Sequence, residues 1–387
     1  MSCHTAVRRH TGAIGRRSAL HVLHVLPRDL ARGAQVYARA LADHANRVAG
    51  EHHEVVVLFA GGRVAALADH ELAVPPGRLH SAGMDPRAAW RLRRLVRATR
   101  PDVVVAHGSE PLKYAVFVRS ADCLVVCHAI GVVAPKARRG AHWYLHRWLL
   151  VRADLVTAVS GAVADELLAL FRLPAHQVRV IPNGRDPSVF TPRRAPGGDT
   201  SPRLLFVGHM TGTKRPEVFL VVVARLRSRG CSFEALMVGD GPLATSVSRA
   251  AAAVQVQVLG RREDVASLLR SADVLLFTSL PEGEGMPGVF IEASLAGVPV
   301  VATDVPGARD VIQDRHTGRV LAVDDVSGLT DAVAELLDDA RLREAMGRAA
   351  RARCERLYSM EVSTSAFSAE LGSLVQRRRR RTGAAGR

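Results

Sequence analysis

Short runs of Val, Leu and Ile recur along this chain, separated by segments of helical period, and the series is laid down twice. Strands that read as near-continuous apolar runs are buried on both faces. They lie parallel, and each intervening helix supplies the crossover to the next strand. In the first series Ala19–Leu26 reads as a strand, Arg28–Gly33 as a loop and residues 34–48 as a helix. Further strands are predicted at His53–Phe59, Val103–Ala106, Cys123–Cys127, Asp154–Val159 and Val178–Ile181. Helical stretches Pro86–Thr99, Pro111–Arg119, Ala141–Val151 and Gly161–Phe171 lie between them.

Pro182-Asn183-Gly184 closes that series, and a stretch rich in Pro, Gly and Arg, Thr191–Pro202, reads as a linker. The second series places strands at Arg203–Val207, Phe233–Val238, Val256–Leu259, Val274–Phe277, Val300–Thr303 and Arg319–Val323. Its helices fall at Pro216–Arg229, Pro242–Ala252, Val265–Arg270, Pro287–Leu295 and Leu329–Asp338. A chain of 387 residues has room for two such cores. The expected architecture is two Rossmann-like α/β domains, over 18–190 and 203–358, with parallel sheets facing a cleft. A helix over 359–376 is expected to return to the first domain. Ligands in open sheets of this kind bind beyond the carboxyl ends of the strands.

The formal net charge of +16 suggests a nucleic-acid partner until its location is considered. Arg8, Arg9, Arg16 and Arg17 in residues 1–17, with Arg377 to Arg381 and Arg387 at the other end, supply ten of these charges without one acid among them. Both ends, 1–17 and 377–387, are expected to be disordered and solvated. Aromatic residues make up 4% of the chain and do not interleave with the basic runs, so no nucleic-acid partner is expected. Five scattered cysteines (3, 123, 127, 231 and 354) fit buried or free thiols in a reducing compartment better than a metal site. No apolar stretch approaches the ~18 residues of a membrane span, and residues 1–20 lack a signal-peptide core. A cytoplasmic location is therefore expected. The aromatic cluster Trp143, Tyr144 and Trp148, with Arg147 and Arg152, reads either as helix packing or as peripheral membrane contact.

The chemistry is concentrated in the second half. Glu284-Gly-Met-Pro-Gly-Val-Phe-Ile-Glu292 follows a strand and opens a helix, whose first-turn amides can bind an anion. On spacing alone Glu284 could equally be a helix-capping acid and Glu292 a solvated helix residue. Around it stand Leu205-Phe-Val-Gly-His-Met-Thr-Gly-Thr-Lys214, Met237-Val-Gly-Asp-Gly-Pro242, Ala293-Ser-Leu-Ala-Gly-Val-Pro-Val300 and Pro306-Gly-Ala-Arg309. Gly239 and Gly241 lack the third glycine of a dinucleotide fingerprint.

Together these residues resemble family 4 of the glycosyltransferases, retaining enzymes of the GT-B fold. The signature is two glutamates separated by seven residues, then a small-residue helix, a Gly-x-Pro-Val strand and a glycine turn, here Glu284 through Gly307. Ala153-Asp154, Val159-Ser160, Ile181-Pro-Asn-Gly184, Ala272-Asp273 and the loop Arg32-Gly33-Ala34-Gln35 also match, over about residues 20–370. The resemblance implies an acceptor-side first domain and a donor-binding second domain. It implies that Lys214 meets the donor diphosphate, Glu292 the ribose and Glu284 the donor sugar. Gly285, Met286, Pro287, Gly288 and Val289 would contact sugar and diphosphate, while Gly208 and Gly33 line the phosphate loops. His128 would stand near the donor sugar as a further catalytic candidate, on the rim of the first domain's cleft. His209 occupies a position where members commonly carry Arg, and Pro287 one that is often Gly.

The reaction so implied moves a sugar from a UDP- or GDP-sugar to the hydroxyl of a glycan, lipid-linked or small-molecule acceptor. It needs no metal and no other cofactor. An epimerase or phosphorylase on the same fold, and a nucleic-acid-binding protein acting through its basic ends, are the competing readings.

Overall fold

The computed structural model describes residues 19–30, 33–61, 68–75, 84–192 and 201–385. The basic leader and most of the expected linker, 193–200, lie outside that set. The first domain carries strands β1 (His21–Leu26), β2 (His52–Phe59), β3 (His70–Val74), β4 (Val103–His107), β5 (Leu124–Ala129), β6 (Leu155–Ala158) and β7 (Val178–Val180). They form one sheet in the order β3-β2-β1-β4-β5-β6-β7, every pair parallel. The second domain carries β8 (Arg203–Val207), β9 (Glu234–Val238), β10 (Gln257–Val258), β11 (Val274–Phe277), β12 (Val300–Thr303) and β13 (Gly318–Leu321). Their order is β10-β9-β8-β11-β12-β13, again all parallel. In each sheet the order reverses beside the first strand, between β1 and β4 and between β8 and β11. Those are the switch points where α/β sheets open a ligand crevice.

Most elements fall within a few residues of their expected positions. β3 is new: His-Glu-Leu-Ala-Val is an edge strand of mixed burial, too short and too polar to show as an apolar run. Residues 377–385, expected as a disordered tail, continue the helix Met360–Ala385. That helix lies on the first domain, where Phe367, Leu371 and Val375 share a core with Val22, Tyr37, Val103 and Leu124. Its apolar face folds the segment despite the arginines, and Arg379 finds Asp102 at 3.0 Å.

The return of this helix explains Ile-Pro-Asn-Gly184. A Cβ on Gly184 would lie 2.8 Å from the Met360 Cα, the Ser359 carbonyl oxygen and the Ser363 Cβ. The next residue locks the crossing from both sides: Arg185 N–H donates to the Tyr358 carbonyl, and Met360 N–H donates to that of Arg185.

A row of buried histidines crosses the first sheet on the face under Tyr37 and Phe367. His53, His24 and His107 stand on the adjacent strands β2, β1 and β4, joined Nδ1 to Nε2 at 2.9 Å twice. Glu51 ends the row at 2.9 Å from His53 Nε2. An acceptor-only carboxylate there makes His53 Nε2 a donor. It leaves His24 Nε2 and His107 Nε2 as donors in turn, which a row of neutral imidazoles satisfies. Burial holds His24 and His107 well below the ordinary histidine value, the neighbouring imidazoles adding to the effect.

Candidate functional site

The loops after β8, β9 and β11 build the site. Gly239 and Gly241 both have positive φ, and a Cβ on either would strike backbone: the Gly208 carbonyl for Gly239 and that of Met210, at 2.6 Å, for Gly241. The two glycine turns therefore stack backbone on backbone. Gly208 N–H donates to the Val238 carbonyl and Met210 N–H to that of Asp240. This brings the 208–215 loop across to β11, where the Thr278 hydroxyl donates to the Lys214 carbonyl at 3.0 Å.

Lys214 then extends over the Phe277 ring at 5.2 Å and forms a salt bridge with Glu284. Glu284 is largely buried and Lys214 about one quarter exposed, so this pair is shielded from solvent screening better than a surface pair. Glu284 stands before the helix Gly288–Leu295, whose N-terminus no side chain caps. The helix starts one residue later than expected, with Pro287 as its N-cap. Glu292, one turn further along, accepts from Arg185 Nε at 2.7 Å. The Arg185 guanidinium passes so close to Gly288 that any Cβ there would collide with it. Lysine, helix terminus and both glutamates thus converge at the carboxyl ends of β8 and β11, the switch point of the second sheet.

The first domain closes over this group. Val132 N–H donates to the Glu284 carbonyl at 3.0 Å, and the Ser160 hydroxyl to the Gly285 carbonyl at 2.8 Å. A Cβ on Gly285 would lie 2.5 Å from the Gly131 Cα on one side, and a Cβ on Gly307 would lie 2.5 Å from the Gly285 carbonyl on the other. Gly285 is glycine because two backbones meet at it. Met286 and Pro287 are buried beneath this contact, while Gly288 and Val289 stay partly accessible.

Three expected residues stand apart. His128 is fully buried inside the first domain rather than on the cleft rim: its Nδ1 pairs with the Thr157 hydroxyl at 2.8 Å and its ring stacks on Tyr37. Burial, opposed by the Asn183 side chain, lowers its pKa to about 4. The apolar character of β5 carried that histidine inward with the rest of the strand. His209 turns to Asp240, Nδ1 to Oδ1 at 3.1 Å. With Nδ1–H given to a carboxylate, Nε2 can donate to a phosphate only as imidazolium. Gly33 begins the helix Gly33–Val48, and a Cβ would meet nothing within 4 Å among the described residues, so their packing does not demand glycine there. Arg32 beside it lies outside the described residues.

Two residues escaped the sequence reading. Arg185 follows Asn-Gly and gave no signal of its own, because its partner Glu292 is 107 residues away. Asp29, in the turn after β1, is 3% exposed, and neither carboxylate oxygen has a partner among the described residues. A buried carboxylate without donors is costly, and a ligand hydroxyl or amine would offset that cost. The helix Gly140–Arg152 leaves Tyr144, Trp148 and Val151 exposed, and Trp143 packs against Phe171. No helix among the described residues is long and apolar enough to cross a membrane.

Comparison with known proteins agrees with this architecture. Residues 31–189 match the family model described as Glycosyltransferase Family 4, and residues 201–339 match Glycosyl transferases group 1. The chain is 28% identical to an N-acetyl-alpha-D-glucosaminyl L-malate synthase of Bacillus anthracis, over 58% of this chain and 60% of that protein. It is 32% identical to a D-inositol 3-phosphate glycosyltransferase of Paenarthrobacter aurescens, over 52% of this chain and 53% of the other. The chain thus spans between half and two thirds of the length of these relatives. In fold it is similar to Anabaena HepE, solved in complex with UDP and glucose, with a TM-score of 0.76, 18% identity and 92% and 100% of the two chains covered. A sucrose-phosphate synthase from Thermosynechococcus elongatus gives a TM-score of 0.75 at 18% identity, covering 92% and 99%.

Proposed function

The chain belongs to the family 4 glycosyltransferases of the GT-B fold, and from that premise we propose that it moves a sugar from a nucleoside diphosphate sugar to an acceptor hydroxyl with retention of configuration. The observation that carries the reading is the convergence of Lys214, Glu284, Glu292 and an uncapped helix N-terminus at one switch point. A departing nucleoside diphosphate develops negative charge. A lysine, helix amides and the glycine-loop amides around Gly208 supply fixed positive potential for it.

The Lys214–Glu284 pair gives this site an exchange reaction. When the diphosphate enters, it takes the ammonium of Lys214 as its partner. That releases Glu284 to accept hydrogen bonds from the sugar hydroxyls, so neither charge is left buried alone. Glu292, held at one oxygen by Arg185, offers the other to the ribose. The first-domain loop 130–132, already bonded to Glu284, excludes water from the glycosidic bond and limits donor hydrolysis. The first domain's own switch point, with Asp29, lies on the side that would take the acceptor. HepE is solved with UDP and with UDP-glucose, and a UDP-sugar is accordingly the first donor to try.

A thermal-shift screen with UDP, GDP and their sugars, followed by product analysis with acceptor hydroxyls, tests the proposal. A nucleoside diphosphate should raise the melting temperature, because it binds only the folded site. No shift with any of them, or an epimer formed without acceptor, would contradict it.

A further inference from the structure

At the amino ends of the first sheet, away from the cleft, a cluster of imidazoles gathers on one carboxylate. His21 and His52 open β1 and β2 and face each other in register, their rings 4.5 Å apart. Glu54 stands two residues along β2, on the same face as His52. His21 Nε2 lies 2.8 Å and His52 Nε2 3.6 Å from Glu54 Oε2, and the three atoms fall within 4.8 Å of one another. The other oxygen, Oε1, is held at 2.8 Å by Nε2 of His70, the first residue of the edge strand β3. The two oxygens of Glu54 thus face three imidazole nitrogens. The cluster lies on the opposite face from the histidine row, and β1 separates it from the switch point by about 17 Å.

We propose that His21, His52 and Glu54 bind a divalent first-row cation of the zinc class. Two imidazoles and a carboxylate are a ligand set for such an ion, and its tetrahedral bond lengths place neighbouring ligand atoms about 3.3 Å apart. The two nitrogen–oxygen distances, 2.8 and 3.6 Å, bracket that spacing, and the two nitrogens lie within 4.8 Å of each other. Binding replaces the His21–Glu54 hydrogen bond by two bonds to the metal. His52 is mostly exposed and free to complete the set, and water supplies the fourth ligand. His70 keeps Oε1 and fixes the plane of the carboxylate, the role that outer partners of metal-ligating acids play. The ion joins β1 directly to β2, and β3 through His70. Its place at the amino ends of the strands makes it a structural tie for the sheet edge, independent of sugar transfer.

Calorimetric titration of zinc into the untagged full-length chain, after treatment with chelator, tests the proposal. One equivalent should bind and raise the melting temperature. Affinity should fall by at least tenfold in His52→Ala and by about tenfold in His70→Ala. The double variant His142→Ala, His146→Ala removes a histidine pair four residues apart on the helix Gly140–Arg152 and should bind as the wild type does. His52 is exposed, so its variant should fold even if one at His21 or Glu54 does not. No binding to the wild type, or affinity unchanged in His52→Ala, would overturn the proposal.

Discussion

Replacing His128 by Asn should make the first domain less sensitive to acid. His128 is fully buried, with a pKa lowered to about 4 against 6.5 for an ordinary histidine. Its folded pKa lies below its unfolded one, so the unfolded chain is the state that takes up the proton. The stability it confers is complete above about pH 6.5 and drains away as the pH falls towards 4. The whole interval corresponds to about 3 kcal/mol, at about 1.4 kcal/mol for each pH unit. His24 and His107 are displaced in the same direction by burial and by one another, so the wild type should lose stability along this window faster than one group can explain. Trp90, Trp143 and Trp148 are the only tryptophans of the chain, and all lie in the first domain. Urea unfolding followed by tryptophan fluorescence, at several values between pH 4.5 and 7.5, therefore reads this domain alone. His128→Asn shifts the curve as a whole through lost packing. The informative quantity is the slope against pH, which should fall by about 1.4 kcal/mol per unit. Equal slopes in the two proteins would mean that His128 is not neutral in the folded state, and the account of its burial would fail.

Lys214→Ala should lower turnover by about 10²–10³, as loss of other preorganised charge stabilisers does, with an unchanged circular dichroism spectrum; near-wild-type turnover would remove Lys214 from the mechanism. Gly285→Ala should force the Gly131 loop away from the donor site and lower kcat/KM by about 10², the cost of misplacing reacting groups by an ångström. Small-angle scattering should show that variant more open, and unchanged dimensions with full activity would count against a closed contact at Gly285. Arg185→Leu should weaken nucleoside diphosphate binding about tenfold by releasing Glu292, the equivalent of about 1.4 kcal/mol; an unaltered affinity in calorimetry would show that Arg185 does not position it.

Legibility in the sequence followed the range of the interactions. The parallel sheets were readable because a strand buried on both faces shows as a local run of Val and Leu, and each crossover helix shows its own period. β3 was not, since an edge strand such as His-Glu-Leu-Ala-Val is exposed in part and carries no such run. The motif residues Lys214, Glu284 and Glu292 could be found in sequence, and the structure brings them together. Their pairings could not: Glu284 meets Lys214 across 70 positions and Glu292 meets Arg185 across 107. His128 sits at the end of a buried strand, where sequence shows the position along the strand but not the depth beneath Tyr37 and Phe367. The C-terminal arginines read as a solvated tail because their charge outweighs the spacing of Phe367, Leu371 and Val375, which fixes the helix on the first domain.

The division of labour between the two glutamates is the central claim, and calorimetry with a nucleoside diphosphate alone tests it most directly, because that ligand carries a ribose and phosphates but no transferable sugar. Glu292→Gln loses hydrogen bonds from a charged acceptor to the ribose, worth about 1.5–3 kcal/mol, and should bind about ten- to a hundredfold more weakly. Glu284→Gln should keep that affinity while turnover with the full donor falls sharply, since its contact is made to the sugar at the bond being broken. If Glu284→Gln loses the nucleotide and Glu292→Gln keeps it, the two roles are reversed; if neither variant changes binding or turnover, the donor site is not at the switch point between β8 and β11.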